Sequence, residues 1–169
     1  MVLEFTTSEE VTLQALVPDI PIFISYLLSF LYLATYWTNH HHLMHVTVQV
    51  NGKILWANLH LLFWLSLIPF ATSWLGEHYT ASAPVAFYGF VLLMSAIAYS
   101  VLQRVIIDHH EEDFLLRKAI GKDLKGNLSL GLYITGVALA YLSPWAAIAC
   151  YVLVLVMWVV PDTRIESNI

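Results

Sequence analysis

The chain has 169 residues, of which 59% are hydrophobic and 11% charged, against ~25% charged in a typical soluble domain; this excludes an ordinary soluble globular domain and a disordered chain. The net charge of −5 says little about partners, because the charges are segregated along the chain, and no nucleic-acid partner is expected. The single cysteine, Cys150, lies in an apolar run and reads as a packed core residue, which excludes a disulfide within the chain.

The first nineteen residues carry Glu4, Glu9, Glu10 and Asp19 and read as an acidic, solvated stretch. Met1-Val2-Leu3-Glu4-Phe5 has neither a basic region nor a cleavage site, so it is not a secretory signal. Uncharged apolar runs follow at residues 20–37, 54–75, 83–103, 128–142 and 144–160, the last two separated at Ser143-Pro144. They predict five membrane-spanning helices. The first is expected to start near Pro18 to Pro21 and to continue without a breaker to Val50, where Asn51-Gly52 marks a turn. About 30 helical residues reach ~45 Å, beyond a ~30 Å hydrocarbon core, so its polar end should protrude. Pro69 should kink the second helix. Residues 108–127 form the one sizeable polar connection. Leu116, Ile120 and Leu124, four apart, predict a short amphipathic helix on the interface, with Asp113 as its N-cap and Gly121 as a breaker. The last two spans are short for the core. The chain is thus all-α, a single polytopic membrane helical bundle over residues 1–169.

Every Lys and Arg fits on one side. Lys53 follows the first span, Arg104, Arg117, Lys118, Lys122 and Lys125 follow the third, and Arg164 follows the fifth. The connections on the other side carry none. The positive-inside rule places those seven residues and the C-terminus in the cytoplasm and the start of the chain outside. A helix upstream of Met1 would restore a cytoplasmic N-terminus and give six spans, five of them visible; the rival reading is a natural five-span protein.

No Asp, Glu, Lys or Arg falls inside a span, which argues against a pump, a proton relay or a carrier of charged substrates. The dense polar feature is Trp37-Thr38-Asn39-His40-His41-His42-Leu43-Met44-His45, followed across the turn by Asn58, His60 and Trp64. Spacings of three and four put His41 or His42 on a face with His45. An antiparallel pairing about Asn51-Gly52 sets His42 level with His60 and Trp37 near Trp64. Three readings are open: a hydrogen-bonded structural network, a metal site and a pH-sensing cluster. The metal reading resembles membrane di-iron oxygenases in outline, but His109-His110 lacks the histidine three residues earlier that such boxes need. Asp108 to Asp113 reads as the solvated cap of the third span, and Arg104 as a residue that snorkels to headgroups.

The runs Tyr36-Trp37-Thr38-Asn39-His40-His41-His42-Leu43, Val50-Asn51-Gly52-Lys53 and Leu55-Trp56-Ala57-Asn58-Leu59-His60, continuing through Trp64 to Pro69-Phe70, resemble the prokaryotic branch of the transmembrane-protein-175 family, relatives of the lysosomal potassium channel. Trp145 and Met157-Trp158-Val159-Val160-Pro161-Asp162 also fit. The family's Arg-x-x-x-Phe-Ser-Asp signature is absent, and Met1-Val2-Leu3-Glu4 resembles the last turn of the helix that bears it. The resemblance implies six spans with cytoplasmic termini and a homotetramer around a potassium-permeable pore. It also implies a hydrophobic constriction, for which Leu3 is the surviving position. Trp37, Asn39, His41, His42, Asn58, His60 and Trp64 would then form the interhelical polar network.

The reading is therefore a bacterial inner-membrane potassium channel subunit, with potassium ions, the lipid bilayer and its own copies as partners. No catalytic residue, metal or cofactor is expected. The alternatives are a histidine-ligated membrane metal oxidoreductase and a non-conducting membrane subunit. The charge distribution generates a topological prediction. A cysteine placed at Ala81 should react with an impermeant reagent from outside, and one at Lys122 only from the cytoplasm. Labelling of position 122 from outside would overturn the helix count.

Overall fold

A computed structural model describes residues 17, 19–45, 47, 49–109 and 123–159. Five α-helices account for nearly all of them: α1 Ile20–His45, α2 Gly52–Glu77, α3 Ser82–His109, α4 Leu124–Leu139 and α5 Pro144–Val159. No strand occurs among the described residues. Three helices, α1, α2 and α3, are long and apolar enough to cross a membrane, and α5 is apolar but shorter. At 16 residues each, α4 and α5 extend ~24 Å.

Several boundaries differ from the sequence expectation. Helix α1 stops at His45 rather than near Val50. Thr47 closes its end, its N–H donating to Met44 O at 3.2 Å and its Oγ1 to Leu43 O at 2.8 Å. Asn51 is then the N-cap of α2, its side-chain oxygen accepting from Ile54 N at 3.0 Å. That is the ordinary work of an asparagine before a helix. Helix α2 runs unbroken through Pro69, and α3 continues past Arg104 to His109. Helix α4 starts at Leu124, earlier than residue 128, because the Asp123 carboxylate caps it by accepting from Gly126 N at 2.9 Å. Leu124 thus opens α4 instead of belonging to an interfacial helix. Leu116, Ile120, Asp113 and Gly121 lie outside the described residues. Pro144 opens α5, where a missing N–H costs nothing.

Helix α3 is the hub. It packs against α2, α4 and α5, while α1 leans on α2 and α5. Half of the most apolar stretch of α3 is buried, against 17% of that of α1. The larger apolar cluster gathers Tyr32, Ile68, Tyr88, Leu92, Tyr133 and Tyr151 from all five helices. A second cluster joins Leu43, Ile54, Leu61, Leu102 and Ile106 at the end where α1 stops and α2 begins.

Hydroxyl groups tie these helices at depth. Ser29 Oγ lies 2.9 Å from Tyr88 Oη and 2.6 Å from Thr72 Oγ1, linking α1, α3 and α2. Tyr32 donates its hydroxyl to the Tyr151 carbonyl, joining the first helix to the last. Tyr151 in turn donates to Val85 O at 3.2 Å. In lipid no water is present to satisfy these groups, so each must find a protein partner.

Tyr151 fits between α3 and α4 because both present glycine. A Cβ on Gly89 would stand 1.9 Å from the Tyr151 hydroxyl oxygen, and one on Gly136 would stand 2.5 Å from its ring. By contrast, a Cβ on Gly131 meets nothing within 4 Å. Gly89→Ala and Gly136→Ala should each cost on the order of 1–3 kcal/mol by overpacking, whereas Gly131→Ala should be neutral or stabilising by up to ~1 kcal/mol. Thermal unfolding of the purified protein in detergent checks the order, and a Gly89→Ala variant as stable as Gly131→Ala would refute the packing.

Candidate functional site

The polar residues at the end of α1 and the start of α2 come together in a different combination from the one expected. Asn58 Oδ1 lies 2.7 Å from Nε2 of His40, whereas the expected pairing set His42 level with His60. An amide oxygen only accepts, so His40 carries its proton on Nε2. The cause is the early end of α1: His45 and Gly52 now face each other across the turn. Against the expected level of His42 with His60, the His40–Asn58 pair is a slide of about four residues, ~6 Å, along the helices. Trp37 is 71% exposed and stacks on the His40 ring with centroids 6.4 Å apart. It forms an outer wall to the His40–Asn58 pair rather than meeting Trp64.

His60 pairs within its own helix, accepting from Trp64 Nε1 at 3.0 Å. Trp64 goes on to contact Phe90 of α3 edge to face, with centroids 5.8 Å apart. The ring contacts of His41 are with its helix neighbours, His42 at 5.9 Å and His45 at 6.2 Å. Asn39 turns its side chain to Thr35 O of its own helix, at 2.8 Å, and its backbone carbonyl accepts from Tyr99 of α3 at 3.2 Å. Leu3 lies outside the described residues. No group of three His, Cys, Asp or Glu side chains arranged to hold a metal ion is found among the described residues.

Sequence reasoning missed three contributors. His40 was one of a run of three histidines with nothing to distinguish it. Tyr99 sits in an apolar stretch of α3. Asn51, read only as a turn residue, also reaches His109 at the end of α3, with Nδ2 3.0 Å from His109 Nδ1. Only the cap position of Asn51 could have signalled this. A side chain whose oxygen is fixed by capping must aim its amide nitrogen elsewhere.

The site is thus a set of neutral hydrogen bonds and aromatic contacts that clamp α1, α2 and α3 at one end, beside the second apolar cluster. The family described as the endosomal/lysosomal potassium channel TMEM175 matches residues 1–69. A potassium channel of Chryseobacterium sp. (strain P1-3) is 47% identical over 169 residues, covering 100% of this chain and 88% of that protein. The chain belongs to the TMEM175 family of potassium channels. A potassium channel of Chamaesiphon minutus (strain ATCC 27169 / PCC 6605) is 28% identical over 147 residues, which is 79% of this chain and 69% of that protein. Another, from Streptomyces collinus (strain DSM 40733 / Tue 365), is 27% identical over 86 residues, 48% of this chain and 42% of that one. No solved structure matches. The TMEM175 match ends within α2, so it spans the whole of the α1–α2 clamp. Membership and the apolar helices make the protein a multi-pass membrane protein.

His40 and Asn58 form the bond between helices, so each leaves a partner unsatisfied when removed. His40→Ala or Asn58→Ala should cost about 1–3 kcal/mol, and the double variant less than the sum. His41→Ala, exposed and bonded to no other helix among the described residues, should stay within about 0.5 kcal/mol. Unfolding midpoints in detergent measure this, and a His41→Ala loss equal to that of His40→Ala would contradict the clamp.

Proposed function

We propose that this chain is the subunit of a homotetrameric channel that lets potassium leak passively across the bacterial inner membrane. The observation that carries the reading is the 47% identity to a potassium channel along the entire chain. A second feature supports passive conduction: the apolar stretches of α1, α2, α3 and α5 contain no Asp, Glu, Lys or Arg, the residues that pumps and carriers of charged substrates usually place at depth. The C-terminus is on the cytoplasmic side, where all the basic residues lie. Apolar side chains narrow the pore, Leu3 among them, and an ion passes according to how readily it sheds water there. Five helices of this chain cross the bilayer, and the polar residues at the end of α1 and the start of α2, His40 with Asn58 foremost, hold the helices in place around the pore.

The test is reconstitution of the protein from its complete reading frame into liposomes loaded with potassium. A potassium gradient alone should drive flux, with no dependence on a proton gradient. Cross-linking at low protein density should trap species up to four subunits. Flux that requires a proton gradient would overturn the passive reading, and stoichiometric iron surviving purification would favour the oxidoreductase.

A further inference from the structure

Next to the clamp, a partly open cavity lies between α1, α3, α4 and α5. Its volume is about 40 Å³ measured to the centres of water molecules, room for about three waters. Its walls are mainly aromatic. Tyr36 and Tyr99 form one of them, their rings 6.2 Å apart and edge to face, and Trp158 forms another. Tyr32 and Tyr133 also line it.

Most side-chain donors of the lining are spent within the protein. Thr35, Ser100 and Ser129 give their hydroxyl protons to carbonyls of their own helices, at 2.8, 2.9 and 2.8 Å. The Trp158 indole N–H goes to Ser129 Oγ at 2.7 Å, and the Tyr99 hydroxyl to Asn39 O at 3.2 Å. Tyr32 donates to Tyr151 O, so its bond with Tyr133 uses the Tyr133 proton. Two side chains keep something in reserve. Asn39 gives one amide proton to Thr35 O at 2.8 Å, which leaves its second N–H and its Oδ1. Among the described residues, neither these groups nor the Tyr36 hydroxyl has a hydrogen-bond partner. Enclosed polar groups nearly always have one, so this pair points to a guest in the cavity.

The walls decide the charge of that guest. Two unspent donors, an O–H and an N–H, disfavour a cation, and the negative faces of the rings disfavour an anion. A neutral hydroxyl suits both, because it can accept from Tyr36 and donate to Asn39 Oδ1. The volume decides the size. Three separate waters would each look for about three hydrogen bonds, and aromatic carbon offers few. A guest of about the same bulk with a single hydroxyl concentrates its bonds on Tyr36 and Asn39 and lays its carbons on the rings. We propose that this cavity binds a short aliphatic alcohol of ethanol's size, its hydroxyl on Tyr36 and Asn39 and its alkyl part against Tyr99 and Trp158. The proposal is independent of the conduction reading.

Ethanol titrated onto the purified full chain, in detergent with deuterated alkyl chains, is the direct test, read by saturation-transfer NMR. Transfer to the ethyl group should saturate in the millimolar range, as expected of so small a guest. Tyr36→Phe removes a hydroxyl that holds no other group of the described protein. It should leave the unfolding midpoint unchanged while weakening ethanol binding about threefold to tenfold. Ala96→Leu, which fills the space, should abolish saturable transfer. Ethanol dissolved in the micelle would respond to neither substitution. Transfer unaffected by Tyr36→Phe, or no saturable transfer to the unaltered chain, would overturn the proposal and leave the cavity to water.

Discussion

Every polar group that this chain carries into the bilayer must be satisfied by the chain itself, and the arrangement of helices follows from where those groups find partners. The bond from the Tyr32 hydroxyl to the Tyr151 carbonyl is the central instance. It fixes the first described helix against the last, across a separation of more than a hundred residues. Tyr151 can receive it only because its ring is seated between Gly89 and Gly136. Its own hydroxyl then reaches Val85 in α3. Apolar contact between helices in lipid carries little hydrophobic driving force, so close glycine packing and hydroxyl bonds have to supply the specificity. The Ser29, Thr72 and Tyr88 hydroxyls repeat the device one layer away.

This concentration of bonds on α3 leaves α1 and α2 with broad apolar faces. Phe23, Ile24, Leu27 and Phe30 on α1, and Leu59, Leu62, Phe63 and Phe70 on α2, are all exposed in the protomer. In water such faces would be a severe liability. In a bilayer they meet a solvent as apolar as themselves, and they leave the same helices able to contact lipid or other subunits without redesign of the core.

How legible this was in the sequence depended on the kind of signal. The five helices were visible because apolar runs broken by Asn51-Gly52, by residues 76–82, by the polar connection at residues 108–127 and by Ser143-Pro144 leave little choice. Helix ends were less visible. The stop at His45 is made by Thr47, a residue with no breaker character, and that one misplaced end shifted the pairing, so that His40 meets Asn58 instead of His42 lying level with His60. The start of α4 was hidden in a polar segment, where Asp123 caps a helix that the apolar run marks only from residue 128. The hydroxyl links were illegible for a physical reason. Ser and Thr in membrane helices usually bond back to a carbonyl one turn earlier, as Thr35, Thr38, Ser95 and Ser100 do here. Nothing in the sequence distinguishes those from Ser29, which crosses between helices, or from Thr72, which does both.

Donor and acceptor roles in the clamp are fixed by partners that cannot change theirs. Trp64 Nε1 can only donate, so His60 must present a bare Nε2. The Asn51 oxygen is committed to capping α2, so its amide nitrogen donates and His109 must present a bare Nδ1. Asn58 Oδ1 can only accept, so His40 must donate from Nε2. Two of the three bonds therefore require a neutral imidazole, while the third survives whether or not the ring gains a second proton. The bond that survives is the one joining α1 to α2. The two that would be lost are the tie from the α1–α2 turn to the end of α3 and the brace that orients Trp64 toward Phe90 of α3. Both of these lie at the seam between α2 and α3, where Ile54 and Leu61 pack against Leu102 and Ile106.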